Sequence, residues 1–406
     1  MFTSRGTIFL SAFLLTLVLA SFCFGYTTRN IVLVVIDGAR YTETLGDPAH
    51  RYADKMYNLS LQGSVLTTFA NNNITLTDRA VPAIWCGAWT APRDTVIGGK
   101  STQYTIIPTM FEYYRKQLSA PGDSVWYVAK YFSSPWLFSY HPDYGPSYWA
   151  TYWSQGSTDL NVWSYTSQIM DVYHPRFFEV YLAGVDAAGH SGNWTTYQTA
   201  ISTADSIVDM LWQKIQTDPF YKDKTTMFVT NDHGRHTTDF TSHGDGCTGC
   251  RQIMFLAIGP DIKAGYTSSA YHSIPDICPT IGKLAGFTSE HSTGHSIDEI
   301  FVTVDTNVTF FDGNSVLTLF QNNPNPFKGS TDIAYELSRQ GHLVLDVFDI
   351  EGRKLTTLLD EVKMPGRDAL TWQGKDSSGR NLPSGIYILR MTLDGNSTSR
   401  KLVVLR

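Results

Sequence analysis

The sequence is poor in charge and has no excess of positive charge. Only 17% of its 406 residues are charged, and 31 lysines and arginines stand against 37 aspartates and glutamates, for a net charge of −6. Because nucleic-acid binding usually needs a basic surface, we expect no nucleic-acid partner. The hydrophobic fraction of 42% is typical of a globular chain, and the length predicts two folded units.

Cysteine is also scarce, with five residues in the whole chain. Cys247 and Cys250 have C-x-x-C spacing, and in an exported protein they could form a local disulfide. The alternative is one half of a zinc site, although the sequence shows no second ligand pair of similar spacing. The sequence leaves both interpretations open.

The N-terminus has the layout of an export signal. Arg5 precedes an apolar run at residues 8–20, and small residues follow around Gly25. This pattern predicts a signal peptide over residues 1–25, and therefore a protein that is secreted or displayed at the cell surface. The alternative is an uncleaved membrane anchor, because the run over residues 7–24 approaches membrane-spanning length.

Short apolar runs alternate with longer mixed stretches from residue 30 to about residue 286. Runs at residues 31–36, 177–182 and 227–230 predict buried parallel strands, and a fourth run at 253–258 precedes Gly-Pro. Residues 195–216 have the apolar spacing of a helix. This alternation predicts an α/β fold.

Acidic residues come within four positions of the ends of the predicted strands. Asp37, Asp186 and Asp232 each follow a strand end, with His190 four residues after Asp186 and His233 next to Asp232. Ligands of open α/β sheets bind at the carboxyl ends of the strands, and mixed oxygen and imidazole ligands suit zinc, with manganese or iron possible. One such residue could be an ordinary Asp-Gly turn, but together they predict a metal site.

The segments IDGAR, VDAAGH and TNDHG, in this order, resemble the metal motifs of the alkaline phosphatase superfamily, especially its nucleotide pyrophosphatase/phosphodiesterase-like branch. The resemblance implies an alkaline phosphatase-like α/β/α sandwich over residues 26–305 with two divalent metal ions, for which we expect zinc. It also implies the ligands of each ion. The first would be held by Asp37, Thr77, Asp232 and His233, and the second by Asp186, His190 and His243.

Two of these assignments depend on spacing. Thr77 lies forty residues after Asp37 and ten before Gly87, as the family's nucleophile does, and Thr75 is the alternative. Either threonine could instead only line a strand or cap a helix. For the last histidine, the alternatives to His243 are His236, His291 and His295.

The resemblance implies that the Thr77 oxygen attacks phosphorus and that water hydrolyses the resulting phosphothreonine. A threonine hydroxyl is a poor nucleophile, so it needs a metal ion to activate it. The sulfatase pattern C/S-x-P-x-R is missing at Thr77, and VIGGK stands where phosphodiesterases place a substrate-binding asparagine. Lys100 and Arg40 are the predicted substrate-binding residues, although each could be structural or solvated.

The C-terminal segments NNPNPF, VFDIEGRKL, SGIYILRM and KLVVLR resemble the type IX secretion sorting domain and the related FlgD-like immunoglobulin fold. This implies a linker over residues 306–325 and a small all-β immunoglobulin-like sandwich over 326–406, with the secretion machinery as partner. The alternative is an accessory β-sandwich without a sorting role.

These observations predict an exported metal-dependent hydrolase of small-molecule phosphate esters, either a phosphodiesterase or a phosphatase. Phosphonate or sulfate ester hydrolysis is an alternative within the same fold. A surface adhesion protein on an inactive hydrolase scaffold is a second alternative, because the aromatic segment at residues 126–155 would suit a binding face. The same aromatics would also suit a roof over the active site.

Overall fold

The computed structural model describes residues 26–97, 99–131, 136–302, 317–322 and 324–406. The chain divides into two compact units, Met1–Val304 and Asp305–Arg406. The predicted signal peptide and residues 306–316 of the predicted linker lie outside the described residues. Within the described ranges, no helix is both long and apolar enough to cross a membrane.

The first unit contains thirteen strands among its described residues. They are β1 (Asn30–Ile36), β2 (Ser64–Leu66), β3 (Phe69–Ala70), β4 (Arg93–Ile97), β5 (Lys100–Tyr104), β6 (Val125–Ala129), β7 (Trp136–Leu137), β8 (Thr151–Ser154), β9 (Phe177–Leu182), β10 (Thr225–Thr230), β11 (Phe255–Ile258), β12 (Tyr266–Ser268) and β13 (His272–Ser273).

Eight α-helices accompany these strands in the described part of the unit. They are α1 (Asp54–Ser60), α2 (Thr77–Cys86), α3 (Met110–Gln117), α4 (Asp159–Tyr173), α5 (Gly184–His190), α6 (Trp194–Thr217), α7 (Thr248–Arg251) and α8 (Ile277–Ala285).

Eight strands form the central sheet in the order β12-β2-β11-β10-β1-β9-β6-β8. The three strands predicted to be parallel are β1, β9 and β10, and β1 lies between the other two and parallel to both. The fourth predicted strand, β11, begins two residues later than expected and runs antiparallel to β10.

Side chains of β1 show why the sheet is covered on both faces. Ile31, Leu33 and Val35 pack on one face with α2, α3 and α8, whereas Val32 and Val34 pack on the other with α1, α4 and α6. All five side chains are buried, and successive residues of a strand point to opposite faces. The predicted α/β/α sandwich is therefore confirmed.

The aromatic segment at residues 126–155 is part of this core. It supplies β6 and β8 of the central sheet, and Tyr127, Phe138 and Tyr144 are buried within it. Aromatic residues fit pleated, buried strands, which accounts for the composition. Among the described residues of the segment, Tyr131 and Tyr140 are the large aromatic side chains left exposed, so an adhesive aromatic face is not supported.

The second unit is made of antiparallel β-sheets. Its strands are β14 (Leu317–Leu319), β15 (Thr331–Leu337), β16 (Gly341–Phe348), β17 (Lys354–Lys363), β18 (Gly366–Trp372), β19 (Gly385–Leu393) and β20 (Asn396–Val404). They form a three-stranded sheet, β14-β15-β18, and a four-stranded sheet, β17-β16-β19-β20. Alternate residues of β15 and β16, such as Tyr335 and Leu345, fill one apolar core. This agrees with the predicted β-sandwich.

Candidate active site and metal centre

The site lies where three neighbouring parallel strands end. Asp37 directly follows β1, Asp186 lies in α5 just after β9, and Asp232 follows β10 by two residues. Because β9, β1 and β10 are adjacent and parallel, their carboxyl ends meet at one edge of the sheet. The fold therefore brings together three residues that are far apart in the sequence.

The first cluster consists of Asp37, Asp232 and His233, and all three are buried. One ligand atom from each lies within 4.8 Å of the others. His233 Nε2 is 3.5 Å from Asp37 Oδ1 and 3.5 Å from Asp232 Oδ2. This is a donor set of two carboxylates and one imidazole, which suits a divalent transition metal.

The second cluster consists of Asp186, His190 and His243, and it is more accessible. His190 Nε2 lies 3.1 Å from His243 Nε2 and 3.4 Å from Asp186 Oδ2. The His190 side chain is 50% exposed, so this cluster opens towards solvent. A substrate or water could therefore reach it directly.

The two clusters are neighbours. The rings of His233 and His243 stack with centroids 4.0 Å apart. Gly38, which follows Asp37, has a φ of +68°, and a Cβ there would lie 2.7 Å from Asp186 Oδ1. The glycine of IDGAR is therefore needed both for its backbone conformation and for the close approach of the two clusters.

Thr77 is the first residue of α2 and faces the first cluster. Its Oγ1 lies 3.0 Å from His233 Nε2 and donates a hydrogen bond to Asp37 Oδ1 at 3.4 Å. Thr75 is used differently, because its Oγ1 accepts the Gly246 N–H at 3.3 Å. Of the two candidate nucleophiles, Thr77 is the one whose hydroxyl contacts the cluster.

Backbone contacts fix the tautomers of two histidines. His233 Nδ1 lies 2.8 Å from the carbonyl oxygen of Gly234, and His243 Nδ1 lies 3.1 Å from that of Thr75. A carbonyl oxygen can only accept, so each Nδ1 carries the hydrogen and each Nε2 presents a lone pair to its cluster. Burial, and then the proximity of the His233 imidazole, lowers the pKa of His243, which favours the neutral form that a metal ligand needs.

The first cluster holds more negative charge than the protein itself neutralises. Burial raises the pKa of Asp37 well above its usual range, and the carboxylates of Asp232 and Asp186 add to this rise. The Tyr181 hydroxyl donates to Asp37 Oδ2 at 2.7 Å. Asp232 Oδ2 is buried and has no hydrogen-bond partner among the described residues. An uncompensated buried oxygen of this kind fits a metal ligand.

Arg235 is a site residue that the sequence reasoning missed. It is fully buried, and its guanidinium donates to Asp186 Oδ1, to the Asp186 carbonyl oxygen at 2.6 Å, and to the Thr241 carbonyl oxygen at 3.0 Å. It therefore holds Asp186 in place in the second cluster. The available signal was an arginine directly after the D-H-G motif.

Of the two predicted substrate-binding residues, Arg40 has a described side chain, and its contacts lie outside the two clusters. The Arg40 guanidinium pairs with Glu43 through two hydrogen bonds and donates to the carbonyl oxygens of His236 and Thr237. These contacts give Arg40 a structural role. Lys100 begins β5, but its side chain lies outside the described residues, so its role stays a prediction.

The remaining candidate histidines have other partners. His236 lies beside Asp245, with His236 Nε2 3.2 Å from Asp245 Oδ1. The His291 ring lies 5.1 Å from that of His141, and the His295 backbone N–H donates to Asp276 at 2.8 Å. The structure thus places His243, rather than these histidines, next to Asp186 and His190.

Residues 69–248 match the type I phosphodiesterase/nucleotide pyrophosphatase family, and residues 323–405 match the secretion system C-terminal sorting domain. The chain finds no match among curated protein sequences.

Two solved structures of murine ectonucleotide pyrophosphatase/phosphodiesterase 5 resemble the fold. One is an inactive threonine-to-alanine variant in complex with AMP, which is 11% identical with a TM-score of 0.52, covering 68% of this chain and 100% of that chain. The other is 12% identical with a TM-score of 0.51, covering 67% of this chain and 100% of that chain. The chain thus carries a type I phosphodiesterase/nucleotide pyrophosphatase domain, followed by a C-terminal secretion sorting domain.

Proposed function

We propose that this protein is an exported hydrolase that cleaves phosphate esters with Thr77 as nucleophile at a site for two divalent metal ions. The observation that carries the proposal is the position of the Thr77 hydroxyl. It lies 3.4 Å from Asp37 and 3.0 Å from His233, at the start of a ten-residue helix. The partial positive charge at a helix N-terminus favours an alkoxide at this position.

The donor atoms of both clusters fit a metal. Asp37, Asp232 and His233, with Thr77, would hold one ion, and Asp186, His190 and His243 would hold the second. We assign zinc, because each cluster combines carboxylate oxygen with imidazole nitrogen and because the orphaned Asp232 Oδ2 needs a cation. When bound, the ions supply Lewis-acid stabilisation of oxygen charge on the substrate and nucleophile.

The chain's own residues orient the reaction. Tyr181 holds Asp37, and Arg235 holds Asp186, so that both carboxylates keep their positions. Thr77 Oγ1 loses its proton and forms a bond to phosphorus, while the bond between phosphorus and the ester oxygen breaks. That oxygen leaves as an alkoxide, which takes up a proton to become an alcohol. Water then breaks the phosphothreonine ester, which releases phosphate or a phosphate monoester and restores the threonine.

Export follows from the second unit. A secretion sorting domain implies contact with the secretion machinery and delivery to the cell surface or medium. We propose in addition that residues 1–25 are a cleaved signal peptide. The predicted mature N-terminus can be checked by mass spectrometry of the secreted protein.

The experiment compares wild type with Thr77→Ala and Thr77→Ser, using p-nitrophenyl phosphate, its bis ester and a nucleotide p-nitrophenyl ester. The nucleotide ester is included because the murine structure contains AMP. We expect Thr77→Ala to lose at least about 100-fold in kcat, because the nucleophilic oxygen is removed, and Thr77→Ser to keep part of the activity. Mass spectrometry of an acid-quenched reaction should find phosphate on Thr77.

Thr75→Val and the exposed Thr68→Ala are the matched controls. Full activity in Thr77→Ala would overturn the proposal, and loss of activity confined to Thr75→Val would reassign the nucleophile. A faster reaction with the bis ester would identify a phosphodiesterase, and a faster reaction with the monoester would identify a phosphatase. Elemental analysis of the purified protein should show bound divalent metal.

A further inference from the structure

A third cluster of metal-compatible side chains lies outside the proposed reaction site. It consists of His236, Asp245 and Cys250, whose ligand atoms all lie within 4.8 Å of one another. Asp245 Oδ1 is 3.2 Å from His236 Nε2 and 3.4 Å from Cys250 Sγ. Cys247 stands next to it, with its Sγ 3.7 Å from Cys250 Sγ.

These separations fit one tetrahedral zinc ion. Zinc–sulfur bonds of about 2.3 Å place two thiolates about 3.8 Å apart, and zinc bonds of about 2.0–2.1 Å place nitrogen and oxygen about 3.4 Å apart. The observed 3.7 Å and 3.2 Å are close to both values. Both cysteines are free thiols in the structure.

The cluster also contains an unexplained polar atom. His236 Nε2 is buried and has no hydrogen-bond partner among the described residues, although Asp245 Oδ1 lies nearby. Asp245 Oδ1 accepts the Cys247 N–H at 2.9 Å and the Cys250 thiol at 3.4 Å, and the thiol would lose its proton on binding zinc. A histidine nitrogen and a carboxylate oxygen thus lie beside the Cys250 sulfur, and the Cys247 sulfur lies next to that of Cys250. An ion bound there would satisfy the unpaired His236 nitrogen.

The surrounding backbone is held in place. The Gly234 N–H donates to the Cys250 carbonyl oxygen at 2.9 Å, and the Gly249 N–H donates to Thr237 Oγ1 at 3.1 Å. Arg40 donates to the His236 carbonyl oxygen at 2.9 Å. These contacts join the segment that follows His233 to the short helix α7, so the four side chains are presented by a connected scaffold.

We propose that His236, Asp245, Cys247 and Cys250 form a third, structural zinc site. The site would link the two ends of the loop between the D-H-G motif and α7. The same loop carries His243. Its ligands include two thiolates, whereas the two proposed reaction clusters contain none. It is therefore chemically distinct from them.

Cobalt substitution of the mature full-length protein tests this site alone. Co²⁺ bound by thiolates gives an intense charge-transfer absorption in the near ultraviolet, which carboxylate and imidazole ligands do not give. We expect this absorption in wild type and in Asp186→Ala, which removes a ligand of the second cluster. We expect it to be lost in Cys250→Ser and weakened in Cys247→Ser and His236→Gln. Zinc analysis should give one equivalent less for Cys250→Ser than for wild type.

Thiol alkylation provides the second measurement and covers the case in which Cys250→Ser does not fold. In wild type, zinc should protect Cys247 and Cys250 from alkylation, and a chelator should expose them. A Cys247–Cys250 disulfide in the protein purified with zinc would overturn the proposal. Two further results would overturn the proposed site. One is an unchanged charge-transfer absorption in cobalt-substituted Cys250→Ser, and the other is the absence of this absorption in reduced, cobalt-substituted wild type.

Discussion

The buried carboxyl group of Glu179 leads to a prediction about how the free energy of unfolding depends on pH. Glu179 lies in β9 and is fully buried, and its Oε2 accepts a hydrogen bond from Trp85 Nε1 at 2.7 Å. Trp85 belongs to α2, the helix that begins with Thr77. Burial raises the pKa of Glu179 to about 8, and the hydrogen bond from Trp85 offsets only part of this. The carboxyl is therefore protonated in the folded protein at neutral pH.

The sign of the effect follows from proton binding. Between the ordinary pKa of about 4.5 and the folded-state value of about 8, the folded protein holds a proton that the unfolded chain has released. Stability therefore falls as the pH rises through this window, by about 1.4 kcal/mol for each pH unit. Between pH 6 and pH 8 the free energy of unfolding should fall by up to roughly 3 kcal/mol from this residue alone.

Glu179→Gln tests this reasoning, because the glutamine oxygen can still accept from Trp85 and cannot ionise. Urea unfolding of both proteins at pH 6, 7 and 8, all with chelator so that metal content is equal, gives the difference between them. We expect the variant to gain stability relative to wild type as the pH rises. Asp54→Asn, which removes an exposed carboxyl from the same unit, should follow wild type. A difference between Glu179→Gln and wild type that does not change with pH would refute the assignment.

Three further substitutions test the supports of the two clusters. Arg235→Ala should leave Asp186 unpaired and lower zinc affinity at the second cluster by roughly 10–100-fold in a metal titration, with partial recovery in Arg235→Lys. Gly189→Ala places a Cβ 2.2 Å from the Arg235 guanidinium carbon and should cost about 1–3 kcal/mol in urea unfolding. Tyr181→Phe removes the 2.7 Å hydrogen bond to Asp37 and should weaken zinc binding at the first cluster, roughly tenfold, with little change at the second. Unchanged metal affinity in Arg235→Ala or Tyr181→Phe would show that these residues do not position the ligands.

The central strands and the acids that follow them could be predicted because both signals are local. Runs such as 31–36 are buried on both faces and therefore apolar throughout, and an aspartate directly after such a run must lie at the edge of the sheet. Parallel pairing of β9, β1 and β10 then brings Asp37, Asp186 and Asp232 together.

Other features depend on tertiary contacts that leave little trace in the sequence. β17 leaves little signal in the sequence, because it is the edge strand of its sheet and its exposed, polar residues lack a regular apolar alternation. Arg235 is buried against Asp186, forty-nine residues away, and an isolated arginine gives no sign of this. Similarly, the sequence shows no second ligand pair with the spacing of Cys247 and Cys250. His236 and Asp245 lie nine residues apart, and the fold of the loop brings them close to Cys250.

The segment from Asp232 to Cys250 connects these observations. It supplies Asp232 and His233 to the first cluster, His243 to the second, and His236 with Asp245 to the third. Among its described residues it has no long regular element, and α7 begins only at Thr248. A loop without such an element keeps its shape through side-chain and backbone contacts, which here include those of Arg235 and Arg40. The proposed third ion would cross-link the two ends of this loop and so limit the number of conformations that the loop can adopt. His243 would therefore lose less conformational entropy when it binds its own metal ion.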